Sequence, residues 1–228
     1  MTGNHGKYLD SLHYLKKFNS NTWDSAQNRM FISIEGIDGS GKTSLSSKLS
    51  EALSKQGHRV FLTKEPTEKM HRNHALERSR EPIDAMKLFF EFTIDRMTHQ
   101  SEIAEKISQG YVVISDRYIY SSFAYQGAVL DKHFGDLKRT IEWMECVSEI
   151  IKIRPDVNII LDIDPKRSME RLAHRSSFGG FEEAEFLEKV RRYYQDIKRN
   201  NDVVIDATLP RETVLSMALD AVRSLMPL

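Results

Sequence analysis

The sequence holds a single cysteine, Cys146, in 228 residues. One thiol can form neither an internal disulfide nor a multi-thiolate zinc site, so a cross-linked secreted scaffold is disfavoured and a reducing compartment is expected. Charge of one sign is missing too, since 33 Lys and Arg balance 33 Asp and Glu. No global field draws the chain to nucleic acid or to an anionic membrane, and any basic site must be local. No apolar run approaches the roughly 20 residues that span a bilayer, and the polar opening of residues 1–7 has no signal-peptide core. These absences predict a cytoplasmic protein with no nucleic-acid and no membrane partner.

What is present is an alternation of short apolar strands and amphipathic helical stretches from residue 30 onward, the pattern of a parallel sheet covered on both faces. Strands are predicted at 31–35, 59–64, 111–115, 157–163 and 203–205, and helices at 43–56, 83–109, 137–153, 183–200 and 212–226. Pro82, Pro155, Pro165 and Pro210 punctuate them. The expected fold is one three-layer α/β domain over 30–228 with a five-stranded parallel sheet. Residues 1–29, rich in Asn, Ser, Lys and His, read as an extension that is either disordered or a docked helix carrying Leu9, Leu12 and Leu15.

The string FISIEGIDGSGKTS places Gly36, Gly41, Lys42 and Thr43 in the spacing GxxxxGK[ST], after a predicted strand and before a predicted helix. Glycines let successive N–H groups turn inward, and the helix adds its positive end. The loop through Asp38, Gly39 and Ser40 to Ser44 is therefore predicted to cradle the phosphates of ATP. Lys42 adds a mobile cation, and the Thr43 hydroxyl offers a ligand to Mg2+. A chance glycine-rich turn is the bland alternative, against which the strand-loop-helix setting argues. The motif does not separate kinases from switch GTPases or motor ATPases. The guanine-reading NKxD string is absent, which disfavours the switch.

Three further stretches bear on a second substrate: TKEPT at 63–67, FEFTIDRMTH at 90–99 and SDRYIYSSFAYQG at 115–127. Phe92 and Arg96 stand four apart on one helical face, where a ring could stack on a flat base and a guanidinium bond to it; core packing is the alternative for Phe92. Asp116 and Arg117 lie at the carboxyl end of a strand, where open α/β sheets bind ligands. Arg117 either holds a phosphate through its fork or pairs with Asp116 at a helix start. Asp38 either orients an acceptor or a metal-bound water, or caps the loop.

In order and spacing these strings resemble thymidylate kinases, whose members read TREPG, an LLFxADRxxH-like helix and DRYxxSSxAYQG after the phosphate loop. LDID at 161–164 and VIDAT at 204–208 extend the resemblance from about residue 31 to the C-terminus. It implies a P-loop NTPase fold with a short lid, ATP-dependent phosphorylation of dTMP to dTDP with Mg2+, and a homodimer built on the helices at 83–109 and 137–153. It further implies that Glu65, Pro66, Phe92, Arg96, Arg117, Ser122, Tyr125 and Gln126 receive the acceptor, Tyr125 crowding a ribose 2′-hydroxyl, and that Asp116 joins Thr43 at the metal. One subgroup of the family carries an Arg in the phosphate loop, and another leaves that position neutral and places Arg in the lid. Gly39 is like the second. In the lid at about 171–183, Arg175 is then expected at the transferring phosphoryl and Arg171 beside the adenine, with a solvated basic face as the alternative for both. Asp38, Lys42, Arg117 and Arg175 are the catalytic candidates.

The chain departs from the family at Lys64 and Thr67, which replace the Arg and Gly of TREPG and remove a bidentate donor and a positive-φ turn. No phosphate role is assigned among Arg72, Arg78 and Arg80. Cys146 reads as a helix packing residue, and Lys189, Arg191, Arg192, Lys198 and Arg199 as the wet face of a helix. No histidine is given a catalytic place. Two other functions fit the same motifs: a different nucleoside monophosphate or nucleoside kinase, and a regulatory protein whose output is partner binding.

Overall fold

MFISIEG is buried at all seven positions and forms strand β1 (Met30–Gly36). A strand with no solvent face belongs in the middle of a sheet covered on both sides. β1 pairs in parallel with β3 (Val112–Asp116) and β4 (Val157–Asp162), while β2 (Val60–Lys64) and β5 (Val203–Asp206) form the edges, in the order β2-β3-β1-β4-β5. The computed structural model describes residues 29–70, 77–173 and 181–225. Residues 1–28 of the expected extension, Arg72, and the centre of the lid with Arg175 lie outside the described residues.

Helices α1 (Lys42–Lys55) and α7 (Arg211–Leu225) pack together on one face of the sheet; α2 (Pro82–Ser108), α3 (Ile119–Phe134) and α6 (Phe181–Ile197) cover the other. Helices α4 (Leu137–Val147) and α5 (Pro165–Ala173) complete the described set. Local chemistry sets several ends. Pro82 opens α2 with a residue whose missing N–H would be unpaired there anyway. Gly135 closes α3 at φ 87°, and the Asp136 carboxylate caps α4 by accepting from the Arg139 N–H at 2.8 Å.

The five predicted strands and five predicted helices all form, with ends moved by one to three residues except in one case. The helix expected over 137–153 stops at Val147 and yields to a single 3-10 turn, Ser148–Ile150. Gln100 then accepts from the Lys152 N–H at 2.9 Å, and Arg154 donates to the Ser148 carbonyl at 3.0 Å. Two helices were not anticipated. α3 is buried almost continuously from Ile119 to Leu130, so it shows no wet face for a periodicity to reveal. α5 is only nine residues long. Cys146 is exposed and not a packing residue, because Met144 takes the inward position and Cys146, two residues on, points elsewhere.

The sheet order makes the chain leave β1 toward one edge and β4 toward the other. The C-terminal ends of β3, β1 and β4 are thereby left side by side, an open crevice of the kind where such sheets bind ligands.

Candidate active site

The loop that follows β1 is shaped by two glycines that nothing else could replace. Gly36 sits at φ 137° in register with Leu161, and a Cβ on it would lie 2.5 Å from the Leu161 carbonyl oxygen. Gly39, at φ 76°, would place a Cβ 2.6 Å from the Ser168 carbonyl oxygen and 3.1 Å from Leu172. The unforeseen helix α5 therefore closes the space beside Gly39, and the Ser168 hydroxyl donates to the Asp38 carbonyl. That contact is the physical reason for a residue without a side chain at this position.

Lys42 is buried and donates to the Ile37 carbonyl at 2.8 Å. Burial and the neighbouring Arg117 lower its ammonium to about 8, against the pull of Asp38, Asp116 and Glu35. A cation held this way gains from any anion that enters the loop. The Ser40 hydroxyl is buried with no partner among the described residues, and Ser44 is exposed beside it. Thr43 donates to Asp116 Oδ2 at 2.6 Å, bringing a hydroxyl and a carboxylate from different elements to one point.

Asp116 is thus engaged by Thr43, and Arg117 turns instead to Asp38: its Nη2 donates to Asp38 Oδ1, while Nη1 donates to Ser121 Oγ at 2.9 Å. Crowding by protein would raise the Asp38 carboxyl, but Arg117 and Lys42 hold it below the ordinary range. The Tyr125 hydroxyl accepts from the Asp38 N–H at 2.8 Å, and its ring lies 5.1 Å from the Arg117 guanidinium carbon. Asp38, Asp116 and Arg117 line a cavity of about 800 Å³ together with the phosphate loop, Arg171 and Leu209, a volume suited to a nucleotide. Arg171 is anchored there, donating to the Ala207 carbonyl at 2.8 Å and reaching the Gly39 carbonyl at 3.5 Å. A larger cavity of about 1360 Å³ adjoins Thr43 and Asp116, between the β2 edge and α2.

A second polar group is built on α2. Arg96, only 2% exposed, donates from Nε to Glu65 Oε2 at 2.7 Å and from Nη2 to Ser122 Oγ at 3.0 Å, and Nη2 lies 2.6 Å from the same Glu65 oxygen as an ion pair. Removing one partner of such a buried pair costs about 3–5 kcal/mol, because it leaves the other charge uncompensated. Arg96 Nη1, also buried, has no partner among the described residues, and neither does Gln126 Oε1. Phe92 is half-buried one turn before Arg96, and Pro66 follows Glu65 at the edge of this group. The neighbouring Asp95 accepts from the Thr67 N–H at 2.8 Å and the Thr67 hydroxyl at 2.5 Å. The departure from Gly at Thr67 thus gains a tie to α2 that glycine could not make.

The structure therefore joins Asp38, Lys42, Thr43, Asp116, Arg117 and Tyr125 in one group, and Glu65, Arg96 and Ser122 in another beside it. Sequence reasoning missed three participants. Glu35 lies at full burial beneath the loop, accepting from the Tyr118 N–H at 2.9 Å and the Ser121 hydroxyl at 2.6 Å, and burial pushes its carboxyl up to about 7. A charged residue inside an apolar strand was the available signal. Ser121 links Glu35 to Arg117, and His99 stands one turn beyond Arg96 on the same face of α2.

Two basic residues change their reading. Arg80 pairs with Glu183 of α6 at 3.0 Å and lies 3.6 Å over the Phe186 ring, so it bridges the start of α2 to α6. Arg191 is not simply on a wet face: its Nε and Nη2 grip the two oxygens of Asp162 at 2.6 and 2.8 Å, tying α6 to the end of β4.

Among the described residues no helix is long and apolar enough to cross a membrane. The family model described as thymidylate kinase matches residues 34–218. A protein of Thermoplasma acidophilum named "Probable thymidylate kinase" is 42% identical over 194 residues, covering 85% of this chain and 95% of the relative. Its counterpart in Thermoplasma volcanium is 41% identical over 186 residues, covering 81% and 93%. One from Archaeoglobus fulgidus is 33% identical over 202 residues, covering 87% and 97%. With a matching phosphate loop, acceptor-side strings and fold, the chain belongs to the thymidylate kinase family.

Proposed function

We propose that the protein transfers the γ-phosphoryl group of ATP to dTMP, giving ADP and dTDP. The observation that carries this reading is the pairing of two unlike polar groups side by side: a phosphate loop with Lys42, and, behind the Glu65 that borders the same cavity, a buried Arg96 whose Nη1 lacks a partner among the described residues. A buried unpaired donor is costly unless a ligand completes it. Arg96 supplies that donor to the base, Phe92 stacks on the base, and Gln126 and Ser122 lie beside it. Tyr125 crowds the sugar.

Arg117 holds the acceptor phosphate and Asp38 orients its guanidinium. Because the acceptor oxygen is already anionic at neutral pH, holding two repelling polyanions in register matters more than proton removal. Lys42 exchanges its bond to the Ile37 carbonyl for the phosphates of ATP. Arg171 stands at the adenine end, and Arg175 reaches the transferring group from the lid. Thr43 and Asp116 present the hard oxygen donors that suit Mg2+, and the pair would hold that ion. Bound there, Mg2+ supplies charge neutralisation on the phosphates of ATP. The protein acts as a homodimer through α2, whose outward Ile83, Phe90, Ile94 and Met97 form an apolar stripe.

The test is an acceptor panel with purified protein, ATP and Mg2+: dTMP, dUMP, UMP, CMP, GMP and thymidine, read as ADP formed. Turnover is expected with dTMP above the other acceptors. Preference for another monophosphate or for thymidine would reassign the substrate, and slow hydrolysis indifferent to acceptor would point to a regulatory nucleotide binder.

A further inference from the structure

His99 is fully enclosed and bonds on both sides of its ring: Nδ1 lies 2.9 Å from Glu65 Oε1, and Nε2 lies 2.8 Å from the Thr63 hydroxyl. Glu65 is the partner of Arg96, and an ionised carboxylate only accepts. The proton on Nδ1 therefore points at Glu65. For the neutral ring, Nε2 is left to accept from Thr63.

Arg96 makes both of its contacts with Glu65 at a single oxygen, Oε2. An arginine and a carboxylate left to themselves favour two parallel bonds that use both oxygens. Here the other oxygen is taken by His99. The guanidinium is accordingly held side-on at Oε2, its Nη2 shared with Ser122, and Nη1 is turned away from the carboxylate with no partner among the described residues.

We infer that His99 is a positioning residue for acceptor selection: by occupying Glu65 Oε1 it keeps Arg96 Nη1 free to bond the base of the incoming monophosphate. This rests on the reading of Arg96 as the donor to the base. Without the His99 bond, Glu65 can rotate to take Arg96 through both oxygens, and the donor moves off the acceptor. His99 touches neither substrate in this scheme. Its loss weakens acceptor binding equally in the ground and transition states, raising KM with kcat nearly constant.

The experiment compares His99→Asn with His99→Gln. The Asn amide nitrogen falls where Nδ1 stands and can donate to Glu65, whereas the Gln amide reaches the Thr63 side. His99→Gln is expected to raise the KM for dTMP about tenfold, the scale of one charge-assisted hydrogen bond. KM for ATP and kcat should stay near wild type, and His99→Asn should restore the dTMP KM. Equal values for Asn and Gln, or parallel rises in both KM values, overturn the inference. Arg96→Met separates the two levels of the reading. If it raises the dTMP KM while His99→Gln does not, only the positioning role falls; if Arg96→Met leaves that KM unchanged, base recognition by Arg96 falls and the inference with it.

Discussion

Arg117 reaches Asp38 across the phosphate loop from a backbone conformation, φ 73°, that no other described non-glycine residue adopts. A left-handed residue with a full side chain costs about 1–2 kcal/mol, so the surroundings must hold it there. They do so through the Arg117 N–H donating to the Ile34 carbonyl at 2.9 Å and the Ser115 hydroxyl donating to the Arg117 carbonyl at 2.6 Å. The turn aims the guanidinium inward, over the end of β1.

From this geometry, Arg117→Lys is expected to lower kcat/KM for dTMP roughly a hundredfold, since an ammonium keeps the charge and loses the planar fork. ATP affinity, measured by calorimetry without acceptor, should change little. An equal loss in both would mean that Arg117 serves the loop and not the acceptor.

Lys42 gives a pH dependence with a definite sign. Burial and the nearby Arg117 bring its folded pKa to about 8, below the ordinary lysine value of 10.5, so the charge needed at the phosphates begins to disappear as pH rises through 8. Phosphate binding favours the charged form and must draw a proton in. Calorimetric titration of ATP at pH 8 in buffers of different ionisation enthalpy should show net proton uptake, with kcat/KM for ATP falling above that pH. Proton release on binding would contradict the assignment.

Glu35 makes the stability of the fold depend on pH. Its pKa is raised from 4.5 to about 7, so between those values the native state binds more protons than the unfolded one. The contribution is fully present below 4.5 and is lost as pH rises through 7. Between pH 5 and pH 7 the wild type should lose Tm more steeply than Glu35→Gln, which keeps a neutral side chain throughout. Parallel Tm profiles would show that Glu35 does not titrate in this range.

How far the site was legible follows from what each residue owes to its neighbours in sequence. The phosphate loop is a local object, one strand end and one helix start, so the spacing of Gly36, Gly41, Lys42 and Thr43 sufficed. That Phe92 and Arg96 share one helical face was readable because four residues make about one turn, though only Arg96 has bonds that join it to the second polar group. Glu65 and Arg96 are 31 positions apart, however, and Glu35 and Ser121 are 86 apart, so their pairing depends on sheet order and not on local pattern. α3 escaped for a related reason: it is enclosed on nearly all sides, and burial erased the amphipathic signal that revealed α1 and α2.

Gly39 offers a control on the loop. Gly39→Ala meets both the left-handed backbone and the Ser168 carbonyl, while Gly135→Ala meets a similar φ of 87° with open space around it. The backbone penalty is about 1–2 kcal/mol in each. Gly39→Ala should therefore cost more stability than Gly135→Ala in urea unfolding and should also weaken ATP binding. Equal costs would show that α5 yields to the added methyl.

The outward stripe on α2 supplies the last prediction. Ile83, Phe90, Ile94 and Met97 are spaced by seven, four and three residues, so they share one helical face, and Ile83 and Ile94 are 60% and 64% exposed. Phe90 packs on Trp143 of α4 at 6.0 Å between ring centres, which extends the apolar surface onto a second helix. A second copy of the chain presenting the same stripe would cover both surfaces by a two-fold arrangement. Sedimentation of the wild type should give twice the 26.4 kDa chain mass, and Ile94→Glu should give the single mass because a carboxylate would be buried against its own symmetry mate. A wild type that sediments as a single chain at micromolar concentration rules the dimer out, and a dimer untouched by Ile94→Glu moves the interface to another face.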